Sequence, residues 1–286
     1  FRAADLGMDV TMVDTAQRPG GVCLFKGCIP SKTFLFLSEL IHDARRAENM
    51  GVAFGKPQID LKALREWKAK VIDTMANGLV SLSKRRGVQL LQGRAQFESS
   101  NTARLHESEV SHIKFQHAIV ATGSRPIPFP GTEFKPGGRI MSATGALALA
   151  DVPQNLLIIG GGYVGLELGT VYAALGSRVK LVELEDRLLP GVDSDLVEPL
   201  HRRLTTIFES IHLETKVTSM QETDGSVAVV LEGDVETPEQ QFDRVLVAIG
   251  RKAASDNIGL ENTQVELDER GFIKVDGQLR TTDERI

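Results

Sequence analysis

The stretch from Asn155 to Glu183 constrains this chain more than any other. An apolar run, Leu156-Leu157-Ile158-Ile159, leads into Gly160-Gly161-Gly162-Tyr163-Val164-Gly165. A helical pattern through Leu168, Val171, Tyr172 and Leu175 follows, and then a strand-like Val179-Lys180-Leu181-Val182-Glu183. Strand, glycine turn, helix and strand in that order predict a βαβ unit with a GxGxxG fingerprint. The glycines allow a tight turn, close approach of a pyrophosphate to the backbone, and close packing of helix on strand. The helix N-terminus offers its unpaired amides to phosphate oxygens. Glu183 closes the second strand, where a carboxylate can accept both hydroxyls of a ribose. It opposes a 2′-phosphate, so the motif favours NAD over NADP.

The unit occurs a second time in incomplete form. Residues 3–14 align without gaps on residues 172–183: Ala4, Leu6, Gly7, Val10 and Val13 match, and Asp14 falls on Glu183. The same offset places the first copy's glycine motif before Phe1. A second echo has the same order, since HAIVATGSRP from His117 resembles RVLVAIGRKA from Arg244.

Cys23 and Cys28 are the only cysteines, set in GGVCLFKGCIPSK. In a regular helix residues five apart have Cα atoms roughly 8–9 Å from each other, beyond the reach of a disulfide. A bridged pair here therefore requires the backbone to leave the helix. Gly27 permits that, and Pro30 suits the first turn of a helix through Ser31, Lys32, Leu35 and Leu37. A thiol near a helix N-terminus and a lysine is favoured as thiolate, the nucleophile of disulfide exchange. A redox-active disulfide is the reading that uses all of these residues. Competing with it are a structural disulfide, a zinc site and a pair of inert buried thiols. The length of 286 residues and the absence of other cysteine pairs argue against the first. Zinc needs about four ligands, and the six histidines show no paired ligand spacing. Inert thiols leave the surrounding glycines and Pro30 without a purpose.

Composition narrows the class. With 42% hydrophobic and 25% charged residues and a net charge of -5, the chain reads as globular, without a nucleic-acid bias and without an apolar run long enough to span a bilayer. Cytoplasm is the expected location, with an organelle matrix as the alternative. Helices are expected over Ser31 to about Glu48, Leu61 to about Arg85, and Val192 to about Phe208. The second would carry Leu61, Leu64, Trp67, Val71, Met75, Leu79 and Leu82 on one side and pair with the first as an antiparallel hairpin. Strands are expected at Val88–Leu91, Ala103–His106, Ile113–Thr122, His212–Met220, Val227–Glu232 and Phe242–Ile249, with Ser142 capping a short helix through Leu149.

GGVCLFKGCIPSK, GGGYVGLELGTVYAALGS, ATGSRP and VAIGR together resemble the flavin-dependent pyridine nucleotide-disulfide oxidoreductases, and most closely their dihydrolipoamide-oxidising branch. The resemblance covers nearly the whole chain. It implies an α/β fold with two Rossmann-like domains, truncated at the N-terminus and lacking a C-terminal dimerisation domain. The expected division is an FAD-binding domain over 1–146, an NAD-binding domain over 147–269, and a return toward the first over 270–286.

By the same resemblance Cys23 is the interchange thiol and Cys28 faces the flavin, while Lys32 and Glu167 form an ion pair beside it. From their types alone those two would be solvated helix charges. FAD contacts are implied for Asp14, Lys32, Gly93, Ala95, Thr122, Gly123 and Ser124. The NAD side takes Gly160, Gly161, Gly162, Tyr163, Val164, Gly165 and Glu183, with Val217, Gly250 and Arg251 completing the cofactor set. Tyr163 resembles an aromatic gate, although a tyrosine there could equally be packing. The implied partners are the lipoyl domain of a 2-oxoacid dehydrogenase or related complex and a second copy in a homodimer. The family's His-Glu base does not occur in this sequence, so the segment alone is expected to be inactive. Alternatives are an NADPH-dependent disulfide or mercuric reductase of the same family, and a redox-inactive dinucleotide-binding module.

Overall fold

A computed structural model describes residues 1–286, which divide into two compact units. One comprises Phe25–Ile72 and Pro126–Gly250, the other Phe1–Leu24, Asp73–Arg125 and Arg251–Ile286.

The first of these units is built on a five-stranded parallel sheet. Its spatial order is Ser210–His212, Arg178–Val182, Asn155–Ile159, Arg244–Val247 and Ile140–Met141. Side chains alternate across it, as the pleat of a strand demands. Leu156, Ile158, Val179, Leu181 and Leu246 face a layer of helices, where Leu166, Leu168, Val171 and Tyr172 of helix Tyr163–Leu175 meet them. Leu157, Ile159, Val182, Val245 and Val247 face the other way, onto Val217, Val227, Val229, Leu231 and Phe242. The latter group comes from an antiparallel meander of Lys216–Glu222, Val227–Glu232 and Glu239–Phe242. Burial on both faces is why these strands read as unbroken apolar runs. Helix Cys28–Arg46 adds Phe34 and Ile41 to the helix-side core. Ser142 caps the short helix Ala143–Ala148 by accepting from the Gly145 N–H at 3.3 Å, as its sequence position suggests.

In the second unit Thr11–Asp14 pairs in parallel with Gln89–Gln92. Three antiparallel strands, Arg94–Ser99, Thr102–His106 and His112–Lys114, form its second sheet. Asp283 is buried and ties down the C-terminal segment, accepting from the Ser100 hydroxyl and from the Gln264 and Arg285 amides.

Several expected elements change. The strand expected at Ile113–Thr122 stops at Lys114. Beyond it Ala118 donates to the Arg285 carbonyl, but no strand lies alongside, and Ile119 is 86% exposed. β-propensity without a neighbouring ladder does not make a strand. His212–Met220 is two strands, because the chain turns at Glu214, whose φ is +48°. Phe242–Ile249 likewise divides around Asp243. Helix Leu61–Arg85 has the expected bounds, and Leu61 and Leu64 of the expected face pack against the core, but Trp67 and Met75 are 37% and 44% exposed while Ile72, Ala76 and Ser83 are buried.

Candidate functional site

The glycine turn shows why each glycine stands where it does. Gly160 has φ +108°, and a Cβ there would lie 2.5 Å from the Ala248 carbonyl oxygen. At Gly165 a Cβ would fall 2.3 Å from the Gly160 carbonyl oxygen and 3.0 Å from Ile158, so its absence lets helix Tyr163–Leu175 close on the strand. A Cβ on Gly161 would strike Leu188 at 2.7 Å. Gly162 differs from all three, for nothing lies within 4 Å of a Cβ placed on it. It forms the N-cap of the helix, so the open space lies beside amides that the helix itself cannot satisfy. Val164 packs partly against the core, and Tyr163 is 64% exposed.

Glu183 follows directly on strand Arg178–Val182 and is buried. One carboxylate oxygen accepts from the Gly161 N–H at 2.5 Å, the other from the Glu185 N–H at 2.9 Å. An ionised carboxylate has about four acceptor sites, so both oxygens keep capacity for ribose hydroxyls while the two amides fix their direction. Leu188, Glu185 and the Ala248 carbonyl complete this turn. Nothing in the sequence singled them out, because Glu185 and Ala248 take part through backbone groups and Leu188 through a methyl group that the fold brings against Gly161.

The cysteine segment departs from helix at the residue expected. Cys23 lies in helix Gly21–Lys26, Gly27 takes φ −144° and ψ −106°, and Cys28 opens the next helix. Both cysteines are exposed, and no disulfide joins them in this structure. Pro30 sits in the first turn, where its missing N–H costs nothing.

Helix Cys28–Arg46 packs against helix Tyr163–Leu175, and Lys32 Nζ meets Glu167 Oε1 at 2.6 Å. That hydrogen bond raises the Lys32 pKa, against a smaller opposing effect of desolvation, with further support from the charges of Glu167, Cys28 and Tyr163. Cys28, Lys32, Glu167 and Tyr163 therefore share one electrostatic neighbourhood at the start of the glycine-turn helix. With the Lys32 side chain 58% exposed, the ion pair contributes at most about 1 kcal/mol to stability. Its value is positional.

In the other unit Asp14 ends its strand and accepts from the Ala16 N–H at 2.9 Å. It borders a groove of about 120 Å³ with Met12, Ala16, Gln17, Leu90 and Gln92. Gly93, at φ +153°, donates to the Asp14 carbonyl at 2.9 Å, and a Cβ on it would meet Ser108 and the His106 carbonyl. Gly7 and Gly176, aligned by the internal repeat, both have positive φ, as helix-ending glycines do. Ser124 is held by Arg251, whose guanidinium donates to its hydroxyl at 2.7 Å and its carbonyl at 2.6 Å. Arg125 pairs with Asp256 beside them. Gly123 has φ +74° with open space around it, and Thr122 precedes it outside any strand. Ala95 lies in strand Arg94–Ser99. Gly250, at φ +126°, belongs to the unit with the glycine turn, as does Val217, whose side chain is buried in the meander core.

A parallel sheet with a GxGxxG turn, an acceptor carboxylate after the second strand and a thiol-bearing helix on the adjoining helix defines a dinucleotide-binding α/β protein of redox type. The chain matches the description "Pyridine nucleotide-disulphide oxidoreductase" over residues 1–286. It is 43% identical over 283 residues to a dihydrolipoyl dehydrogenase of Vibrio parahaemolyticus, covering 98% of this chain and 59% of that one. It is 40% identical over 291 residues to dihydrolipoyl dehydrogenase 2 of Haloarcula marismortui, covering 100% and 61%. Among solved structures, the HOCl-induced flavoprotein disulfide reductase RclA of Escherichia coli superposes with a TM-score of 0.80 at 26% identity, over 99% of this chain and 60% of that one. The chain belongs to the pyridine nucleotide-disulphide oxidoreductase family. It spans about three fifths of the length of these relatives.

Proposed function

We propose that the protein is a flavin-dependent dihydrolipoamide dehydrogenase, oxidising protein-bound dihydrolipoyl groups and reducing NAD. One observation carries this reading. The Lys32–Glu167 pair joins the helix opened by Cys28 to the helix opened by the glycine turn, so a thiol and a dinucleotide-binding motif share one unit. On this proposal Cys23 and Cys28 form the disulfide that accepts two electrons. A substrate thiolate attacks Cys23, and the second substrate thiol displaces it, closing the lipoyl disulfide and leaving both cysteines reduced. FAD and NAD, when bound, supply the electron and hydride transfer that carries those electrons away. Lys32 holds positive charge beside Cys28, and Glu167 fixes its direction. Asp14 and Gly93 fit an adenosine ribose in the groove beside them, and Ser124, set by Arg251, lies in the same unit.

Glu183, anchored by two amides, supports NAD over NADP, and Glu185 and Asp186 follow it with more negative charge. The partners on this reading are the lipoyl domain of a 2-oxoacid dehydrogenase complex and a second copy of the protein, in the cytoplasm. No helix is long and apolar enough to cross a membrane. The test, on the protein expressed from its full reading frame because the segment alone is expected to be inactive, is steady-state NADH formation from dihydrolipoamide with FAD supplied, repeated with NADP and with glutathione or mercuric ion in exchange. NAD-linked turnover of dihydrolipoamide that Cys23→Ser and Cys28→Ser each abolish is the expected result. Turnover with NADPH and another acceptor only, or insensitivity to both serine variants, would overturn the assignment.

A further inference from the structure

Between Glu183 and helix Ser194–Thr205 the chain runs through a loop whose residues 184–187 and 190–193 are all exposed. Leu188 is the exception, fully buried in the core on the helix side of the sheet. Its path into that core passes Gly161. The point at which Gly161 would carry a Cβ lies 2.7 Å from Leu188 Cδ2, 3.1 Å from Glu183 Oε2 and 3.3 Å from Glu183 Cβ. Leu188 and the Glu183 side chain therefore lie against the same face of Gly161, and the leucine fills space into which the carboxylate could otherwise turn.

The backbone makes the same connection a second time. Leu189 N–H donates to the Gly161 carbonyl at 3.1 Å, and Gly161 N–H donates to Glu183 Oε2. Leu189 holds φ +50°, a left-handed conformation that a leucine adopts only at a cost. Glu214, at φ +48°, does the matching work on the other oxygen. Its N–H donates to the Glu185 carbonyl at 3.0 Å, and Glu185 N–H holds Glu183 Oε1. Each carboxylate oxygen is thus bonded to a residue whose carbonyl accepts from a strained residue. Strain of this kind gathers at functional sites, where the surrounding contacts over-determine it.

A carboxylate selects NAD only while it cannot move. Fixed, it accepts the ribose hydroxyls and opposes a 2′-phosphate at the same place. Free to turn, it loses the first interaction and relieves the second. We infer, resting on the proposed NAD assignment, that Leu188 is a positioning residue for dinucleotide selection: it holds Gly161 and the Glu183 carboxylate in the orientation that accepts a 2′-hydroxyl and rejects a 2′-phosphate.

The test uses the protein expressed from its full reading frame with FAD bound. NAD and NADP are each titrated calorimetrically into wild type, Leu188→Ala, Leu188→Val and Leu188→Met, and Tm is recorded for all four. Leu188→Ala should raise the NAD dissociation constant on the order of 10-fold, the worth of a charged hydrogen bond. Its NADP dissociation constant should hold or fall, so the preference for NAD shrinks by on the order of 10-fold or more. Leu188→Met keeps the volume and should keep the preference within about 2-fold of wild type. Truncating any buried leucine lowers Tm, but a merely structural leucine would leave the preference where it was. Leu188→Val costs the core less and should still shrink the preference at least about 3-fold, which carries the test if Leu188→Ala does not fold. A wild type that binds NADP more tightly than NAD, or binds neither, would overturn the NAD assignment and the role of Leu188 with it. A wild type that prefers NAD, with the same preference in the folded truncation variants, would overturn the role of Leu188 alone.

Discussion

Two alanine substitutions three residues apart should separate binding from folding. At Gly165 the new methyl would lie 2.3 Å from the Gly160 carbonyl oxygen, a backbone atom that cannot swing aside, and 3.0 Å from Ile158. Ile158 is fully buried. The helix must lift from the sheet, and overpacking of this kind costs about 1–3 kcal/mol. For a domain of this size each kcal/mol lowers Tm by roughly 2–4 °C, so Gly165→Ala should melt about 3–10 °C below wild type. Gly162→Ala meets no protein atom within 4 Å and keeps an ordinary backbone, φ −74°. Its cost is the small penalty of exchanging one N-cap residue for another, no more than about 1 kcal/mol. The methyl would occupy the space through which a pyrophosphate reaches the first-turn amides. Gly162→Ala should therefore weaken NAD binding by on the order of 10-fold or more, a loss of about 1.4 kcal/mol or more, while Tm stays near wild type. Differential scanning calorimetry and titration calorimetry read the two effects separately. If Gly162→Ala binds NAD as wild type does, or loses as much stability as Gly165→Ala, the division of labour among these glycines is wrong.

Other consequences follow from named contacts. Glu183→Gln keeps the shape but can no longer accept from both the Gly161 and Glu185 amides with an ionised carboxylate. NAD affinity should fall on the order of 10-fold, the worth of a charged hydrogen bond, and the preference over NADP should shrink, as paired titrations would show. Lys32→Met should change stability by no more than about 1 kcal/mol, since the pair is exposed. It should nonetheless slow dihydrolipoamide-dependent NADH formation by on the order of 100-fold; equal losses in both would mark Lys32 as merely structural. The Lys32 pKa is raised, so what little stability the ion pair gives is fully present below the ordinary lysine pKa of 10.5 and is lost only as pH rises through the higher folded value. His42 behaves in the opposite sense. Burial first, then the charges of Arg203 and Arg46, lower its pKa below 6.5, with Asp43 opposing and Arg45 adding to the shift. Its neutral state supports the fold above pH 6.5, and that support fades as pH falls from there through the lower folded value. Denaturant midpoints between pH 7 and 5 should drop less in His42→Gln than in wild type, and parallel curves would rule His42 out as the cause.

What could be read before the structure depended on how local the physics was. The glycine turn was legible because strand, glycines and helix follow one another in sequence, with Gly165 answering to Gly160 and Ile158 inside that unit, and Glu183 because the end of the strand fixes where its carboxylate goes. The break between the cysteines was legible for a similar reason: helix geometry forbids the bridge, and Gly27 was the residue able to relieve it. The Lys32–Glu167 contact was not readable from residue types or spacing, since the two are 135 positions apart, and it came only through resemblance. Leu188, Glu185 and the Ala248 carbonyl were beyond reach altogether, because Glu185 and Ala248 act through backbone groups and Leu188 through a side-chain methyl group that the fold brings against Gly161.

The misread segments share a different cause. His117 to Thr122 has the composition of a strand, but a strand is a property of two neighbours, and this segment has none. The apolar stripe through Trp67 and Met75 was read as one side of the helix, on the rule that apolar residues at helical spacing share a face for a packing neighbour. That rule holds only when one partner is available to cover the helix. Ile72 and Ala76 are already buried, so the chain has satisfied that face with smaller side chains. A tryptophan costs little in helix propensity at an exposed position and contributes its large area only when covered. The same hydrophobic periodicity encodes two surfaces, and burial in a single chain distinguishes which of them folding has used.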